Sequence, residues 1–173
     1  MASPASMIGD ESPRAQNKLM FLECLGLIER LHRRLLDVIK DELDSRGKGE
    51  LNPVQALLLF NIGEYEMTAG ELRTRGYYLG SNVSYNIKKL VEMGFIHHQR
   101  ALHDRRAVRI SLTDKGKEVR DLIDDLYERQ LDEILEDDLL DAEKFTTLRR
   151  TLRNLERFWS DHMRVTAGGR GAT

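Results

Sequence analysis

The chain is poor in residues that staple, span membranes or catalyse. One cysteine, Cys24, among 173 residues excludes an intramolecular disulfide framework. Nowhere do about 18 apolar residues run together, and the N-terminus has no basic-then-apolar signal pattern. Neither a membrane span nor export is indicated, so the expected compartment is the cytoplasm, in association with the nucleoid. No phosphate-cradling glycine loop and no nucleophile elbow occurs. The histidines (His32, His97, His98, His103, His162) form no tight ligand pattern with Cys24, and adjacent His97 and His98 face opposite sides of a strand. Without a convergent polar constellation, the expectation is no enzyme, no metal and no cofactor. Aromatics make up only 6% against 32% charged residues, a balance that suits many exposed helical faces.

The net charge of -2 is small, but it conceals a strong asymmetry. Residues 68–120 hold eleven Lys or Arg against five acids, a local charge of +6, whereas residues 121–144 hold eleven acids against two bases, or -9. Phosphates respond to the charge within a Debye length of roughly 8 to 10 Å, so the basic segment is suited to nucleic acid whatever the whole-chain sum. The acidic segment repels it and helps confine contact to one face.

The basic segment has a definite order. Thr68 and Glu71 stand three apart, the spacing at which side chains satisfy the orphan N–H groups of a helix start. Val83, Ile87, Leu90 and Val91 then recur on one buried face, predicting a second helix from about Ser81 to Met93 with Gly94 as its stop. At 100° per residue its opposite face carries Ser81, Asn82, Tyr85, Lys88 and Lys89, flanked by Ser84 and Asn86. Amides and hydroxyls there can exchange hydrogen bonds with base edges, and Lys or Tyr can reach phosphates or thymine methyls. An ordinary solvated face would look similar.

A basic hairpin favours the DNA reading. Residues 95–100 are strand-like, and Val108, Ile110 and Leu112 alternate with Arg109 and Ser111 in the period of a half-buried strand. Between them the turn displays Asp104, Arg105 and Arg106. Paired arginines suit the narrow, electronegative minor groove, although a solubilising turn could also carry them.

The segments Leu51-Asn-Pro-Val-Gln55, Thr68-x-x-Glu71-Leu72, Ser81 to Gly94, Asp104-Arg105-Arg106 and Leu112-Thr113-x-x-Gly116 together resemble the winged-helix regulators of the multiple-antibiotic-resistance regulator (MarR) family, over about residues 17–163. The resemblance implies an obligate homodimer on a pseudo-palindromic double-stranded DNA operator. It places the second motif helix in the major groove and the wing in the flanking minor groove, with Asp104 orienting an arginine, Arg106 entering the groove and Arg105 on a phosphate. It also implies a small, largely apolar or aromatic effector in a cleft between dimer platform and reading lobe, for which Ile39, Leu57 and Phe60 are the lining candidates, although plain core roles would also account for them. Repression by blocking polymerase is the outcome the resemblance favours.

The flanks are helical. A first long helix is expected over about residues 15–44, with Phe21, Leu25, Ile28, Leu35 and Ile39 inward, broadened by Leu31, Leu36 and Leu43. Asn52, Pro53 and Gln55 mark a second start, and Gly63 its end. Thr113 caps a helix to about Leu135 with Val119, Leu122, Ile123, Leu126, Leu131 and Ile134 inward, and a last helix begins near Asp141 with Phe145, Leu148, Leu152, Leu155, Phe158, Trp159 and Met163 on its apolar face. These faces exceed what a reading module can cover, so a second copy is the simplest partner. A monomeric bundle is the alternative.

The expected fold class is mainly α with a small β-hairpin. It consists of an N-terminal tail (1–14), a dimerisation helix (15–50), a winged helix-turn-helix lobe (51–116), C-terminal dimerisation helices (117–164) and a tail (165–173). Cys24, among Leu22, Leu25 and Leu27, reads as a buried, inert thiol. A cysteine-based redox sensor and a winged-helix protein-interaction module are the alternative functions.

Overall fold

The structure is a computed structural model describing residues 12–68, 71–72, 80–100, 108–137 and 139–168. The chain divides into two compact units, Met1–Asp124 and Asp125–Thr173, each described by itself.

The first unit opens with α1 (Pro13–Ser45), whose start is capped by the Ser12 hydroxyl accepting from the Ala15 amide at 3.3 Å. Gly47, at φ 68°, ends it: the Lys48 amide reaches back to Leu43 O at 2.8 Å and the Gly47 amide to Asp44 O at 3.2 Å. That paired closure satisfies carbonyls which the helix leaves open. Helix α2 (Pro53–Ile62) starts with the expected reciprocal cap, the Gln55 amide donating to Asn52 Oδ1 at 2.9 Å and the Asn52 amide to Gln55 Oε1 at 3.0 Å. It packs on the C-terminal part of α1, with Ile39, Leu43, Leu51, Leu58, Leu59 and Ile62 all buried.

After α2 comes a short strand, β1 (Met67–Thr68). Thr68 and Glu71 then form the reciprocal cap, with Thr68 N to Glu71 Oε2 at 2.6 Å and Glu71 N to Thr68 Oγ1 at 3.1 Å, and the chain is helical at residues 71–72. Helix α3 (Gly80–Glu92), strands β2 (Ile96–Arg100) and β3 (Val108–Leu112), and helix α4 (Asp114–Glu136) follow. The hairpin is thus one part of a three-stranded antiparallel sheet ordered β1-β3-β2. In it Met67 lies opposite Ile110, and Ile96 opposite Leu112. These four side chains are all buried, which fixes the register, since a slip of one residue would turn each outward.

The second unit holds the remainder of α4 and α5 (Ala142–Gly168). Asp141 caps α5 by accepting from the Lys144 amide at 2.8 Å. Helix α5 runs through Gly168, so residues 165–168, expected to belong to a tail, continue the helix. The other tail residues, 1–11 and 169–173, lie outside the described residues, and α1 starts two positions before the expected Ala15.

Burial follows the expected faces in the first unit, where Val119 and Ile123 of α4 are buried and Leu122 is half-buried, and in the second unit Leu126 of the same helix is buried as well. Elsewhere the expected apolar faces stand open. In α1 this includes Phe21 and Leu31, and in α5 Leu148, Leu152, Phe158 and Trp159. Cys24 is exposed, contrary to the buried thiol expected, because nothing among the described residues covers the N-terminal half of α1 around it.

Candidate nucleic-acid interface

Helix α3 presents its two faces as the periodicity predicts. Leu90 is fully buried and Ile87 nearly so, while Tyr85 is 61% exposed. Ser84 and Lys88 are also exposed, and Lys89 is half-exposed. An exposed tyrosine beside two lysines on one helix face offers a flat ring and two cations to whatever docks there. Ser81 and Asn82 lie in the first turn of α3, where only the backbone is described. Asn86 departs from expectation: instead of flanking the open face it is largely buried. At 140° from Ser81 around the helix it stands beside Leu90 at 180°, close enough to the core face to be covered.

The end of α3 is tied down on three sides. Gly94 adopts φ 78°, and the Phe95 amide donates to Leu90 O at 2.8 Å while the Gly94 amide donates to Val91 O at 3.0 Å. Thr113 then links this turn to α4. Its hydroxyl donates to Gly94 O at 2.7 Å and accepts from the Gly116 amide at 3.1 Å, while its own amide donates to Phe95 O at 3.1 Å. Lys115 Nζ sits 4.0 Å from the centroid of the Phe95 ring, in reach of Met93 O at 3.4 Å and Glu50 at 3.7 Å. The Leu112-Thr113-x-x-Gly116 motif is thereby explained: it joins the end of α3, the strand β3 and the start of α4 into one rigid corner. The direction in which α3 points is set by that corner.

The wing strands β2 and β3 pair along their length, Arg100 opposite Val108, and the seven residues joining them include Asp104, Arg105 and Arg106. Those three candidates lie outside the described residues. At the base of the wing Arg109 pairs with Glu66 at 3.2 Å, so this cation is braced against the β1 side. His97, His98 and Gln99 are exposed along β2.

One residue of the face was missed by sequence reasoning. Glu92 lies 20° from Ser81 around α3, between it and Tyr85, and its carboxylate takes Lys89 Nζ at 3.0 Å and Lys88 Nζ at 3.9 Å. The hydrogen bond with Lys89 holds the Glu92 carboxyl below its ordinary range and raises the Lys89 ammonium above its own. The signal was available in the same angular arithmetic that selected Tyr85.

The ligand candidates differ in exposure. Ile39 is fully buried in the α1–α2 core, and Leu57 and Phe60 are half-buried. An open apolar groove of ≈ 410 Å³ lies along α5, lined by Phe145, Leu148, Arg149, Leu152, Arg153 and Glu156. Among the described residues no group of three His, Cys, Asp or Glu side chains is placed to hold a metal ion, and no helix is long and apolar enough to cross a membrane.

Comparison with known proteins agrees with this geometry. Residues 51–116 match the family model of a winged helix DNA-binding domain. The chain is 32% identical over 158 residues to the exopolysaccharide II synthesis transcriptional activator ExpG of Rhizobium meliloti, covering 90% of this chain and 79% of the relative. In fold it is similar to MarR, at 25% identity and a TM-score of 0.59 over 82% of this chain and 92% of that one. It is also similar to Streptococcus pneumoniae FabT solved in complex with DNA, at 20% identity and a TM-score of 0.63 over 82% of this chain and 98% of that one. With its sequence relative a transcriptional regulator and its reading corner built as described, the chain belongs to the MarR family of winged-helix DNA-binding transcriptional regulators and is not an enzyme.

Proposed function

We propose that the protein binds a pseudo-palindromic operator as a homodimer, each protomer placing α3 in the major groove and the 101–107 connection in the adjacent minor groove. The observation that carries this is the exposed Tyr85, Lys88 and Lys89 face on a helix whose end is locked by Thr113 and Gly116. Ser81, Asn82 and Ser84 join that face as base-edge or phosphate contacts, and Arg105 and Arg106 supply the minor-groove cations. FabT in complex with DNA supports the same partner here. The open apolar faces of α1 and α5 supply the dimer surface, and two lobes one DNA turn apart, roughly 34 Å, then match successive half-sites. A cytoplasmic location follows from such a partner.

A small apolar effector acts by population shift: a ligand that fits a protomer spacing mismatched to DNA weakens operator affinity by its differential binding. The sense of regulation is repression where the site overlaps the polymerase. Activation is a second reading, favoured by the relative named a transcriptional activator. The test is selection of bound fragments from the source genome, followed by a salt titration on the recovered site. Enrichment of an inverted repeat with a steep log–log salt slope is expected; failure to retain any fragment at low ionic strength would sink the proposal. Arg106→Ala should cost about 1 to 3 kcal/mol on that site, and a reporter downstream of it decides the sense.

A further inference from the structure

Glu92 is a carboxylate in a place where elementary physics does not favour one. It sits in the last turn of α3, where the helix end already carries partial negative charge and a cation is the stabilising choice. It is half-exposed, as is Lys89, and Lys88 is more exposed still, so its ion pairs add little to folding stability. It shares the outward face with Tyr85 and Lys88, where a docked duplex would bring phosphates and where a negative charge is repelled. Its two oxygens are divided between the two lysines of that face, Oε2 to Lys89 at 3.0 Å and Oε1 to Lys88 at 3.9 Å.

We propose that Glu92 is a built-in brake on general DNA affinity, an internal stand-in for phosphate that holds Lys88 and Lys89 until a duplex displaces it. The inference rests on the reading of α3 as the DNA-facing helix. Each lysine must leave the carboxylate to reach a phosphate, so part of the attraction is cancelled whatever the base sequence. A carboxylate so released recruits a cation, which offsets part of the counterion release that drives binding. The brake therefore both weakens duplex binding and flattens its salt dependence. A regulator that must leave non-cognate DNA readily gains from such a device, because the genome offers a vast excess of competing sites.

The experiment measures binding of the full chain to a mixed random-sequence duplex across a salt series, for the parent, Glu92→Gln, Lys88→Ala/Lys89→Ala, and the triple variant. Glu92→Gln is expected to tighten binding by about three- to tenfold at low salt, as freeing the lysines from a carboxylate 3.0 and 3.9 Å away in high dielectric predicts, and to steepen the log–log slope by up to about one. In the lysine-free background the same substitution should lose most of its effect. Unchanged binding by Glu92→Gln, or an equal gain with and without the lysines, overturns the brake. If removing both lysines leaves duplex binding intact, α3 is not the DNA-facing helix, and that result overturns the brake together with the reading beneath it. Thermal melts of all four proteins show whether each is folded.

Discussion

Gly116 passes so close beneath Phe95 that a Cβ at position 116 would stand 2.2 Å from the Phe95 carbonyl oxygen. The atom it would strike is backbone, fixed by its bond from the Thr113 amide, and cannot rotate aside. Gly116→Ala is therefore expected to destabilise the protein by about 1 to 3 kcal/mol, the range for overpacking, and to weaken DNA binding further by swinging α3. Denaturant midpoints with duplex titration check this; an unchanged midpoint would show that the corner yields.

Thr113 is the other half of that corner, and its hydroxyl serves as donor and acceptor at once. Thr113→Ala removes the cap of α4 and leaves Gly94 O without this donor, an expected loss of about 1 to 2 kcal/mol. Thr113→Ser keeps the oxygen and should recover most of it. Equal stability of the Ala and Ser variants would show that the hydroxyl contributes nothing.

The corner also shows what could be read from the chain alone. Caps, stops and faces are local, so Asn52–Gln55, Thr68–Glu71, Gly63 and Gly94 were legible from spacing, and each stands where expected. The pairing of β1 with β3 was not, because Met67–Thr68 is two residues long and its partners lie over forty positions away, a contact no periodicity encodes. Asn86 and Cys24 failed in opposite directions. The burial of Asn86 depends on how close to the core a flank position falls, and the exposure of Cys24 on whether another surface covers α1. Ile39, a ligand-lining candidate by resemblance, is fully buried in the single chain.

The apolar faces left open give a prediction about assembly. Leu148, Leu152 and Phe158 of α5 are each about half exposed in the single chain, more large apolar surface than an isolated helix keeps in water without a partner. Leu152→Asp should convert the protein to its 20.0 kDa monomer in sedimentation at micromolar concentration and greatly reduce duplex affinity by uncoupling the half-sites. A parent protein that already sediments as a monomer would refute the dimer.

Acid should loosen the start of α5 before its middle. The Lys144 amide holds the Asp141 carboxyl below its ordinary 3.8, with the Lys144 ammonium adding to the effect. A carboxyl lowered on folding stabilises the folded form above its unfolded value, and that contribution disappears as pH falls through the depressed one. Amide exchange at Lys144 should therefore accelerate as pH drops below about 4 relative to residues in the helix centre, once intrinsic rates are corrected. Asp141→Asn keeps a cap that does not titrate there, so its exchange pattern should be flat over the same range. Parallel profiles for the two proteins would show that the carboxylate is not what holds the turn.

Tyr85 separates stability from recognition. A ring 61% exposed on a helix contributes little to the core, so Tyr85→Ala should leave the denaturant midpoint nearly unchanged. On the selected operator the same change should remove an apolar and hydrogen-bonding contact from the helix proposed to read the groove, with an expected cost of about 1 to 3 kcal/mol. Tyr85→Phe distinguishes the two parts of that contact: recovery assigns it to the ring, for example against a thymine methyl, and continued loss assigns it to the hydroxyl. The random-sequence duplex gives the contrast, since binding there is dominated by lysines and arginines on phosphate and should fall far less. Equal losses on operator and random duplex would place Tyr85 on the backbone rather than on the bases, and α3 would then be positioned differently in the groove.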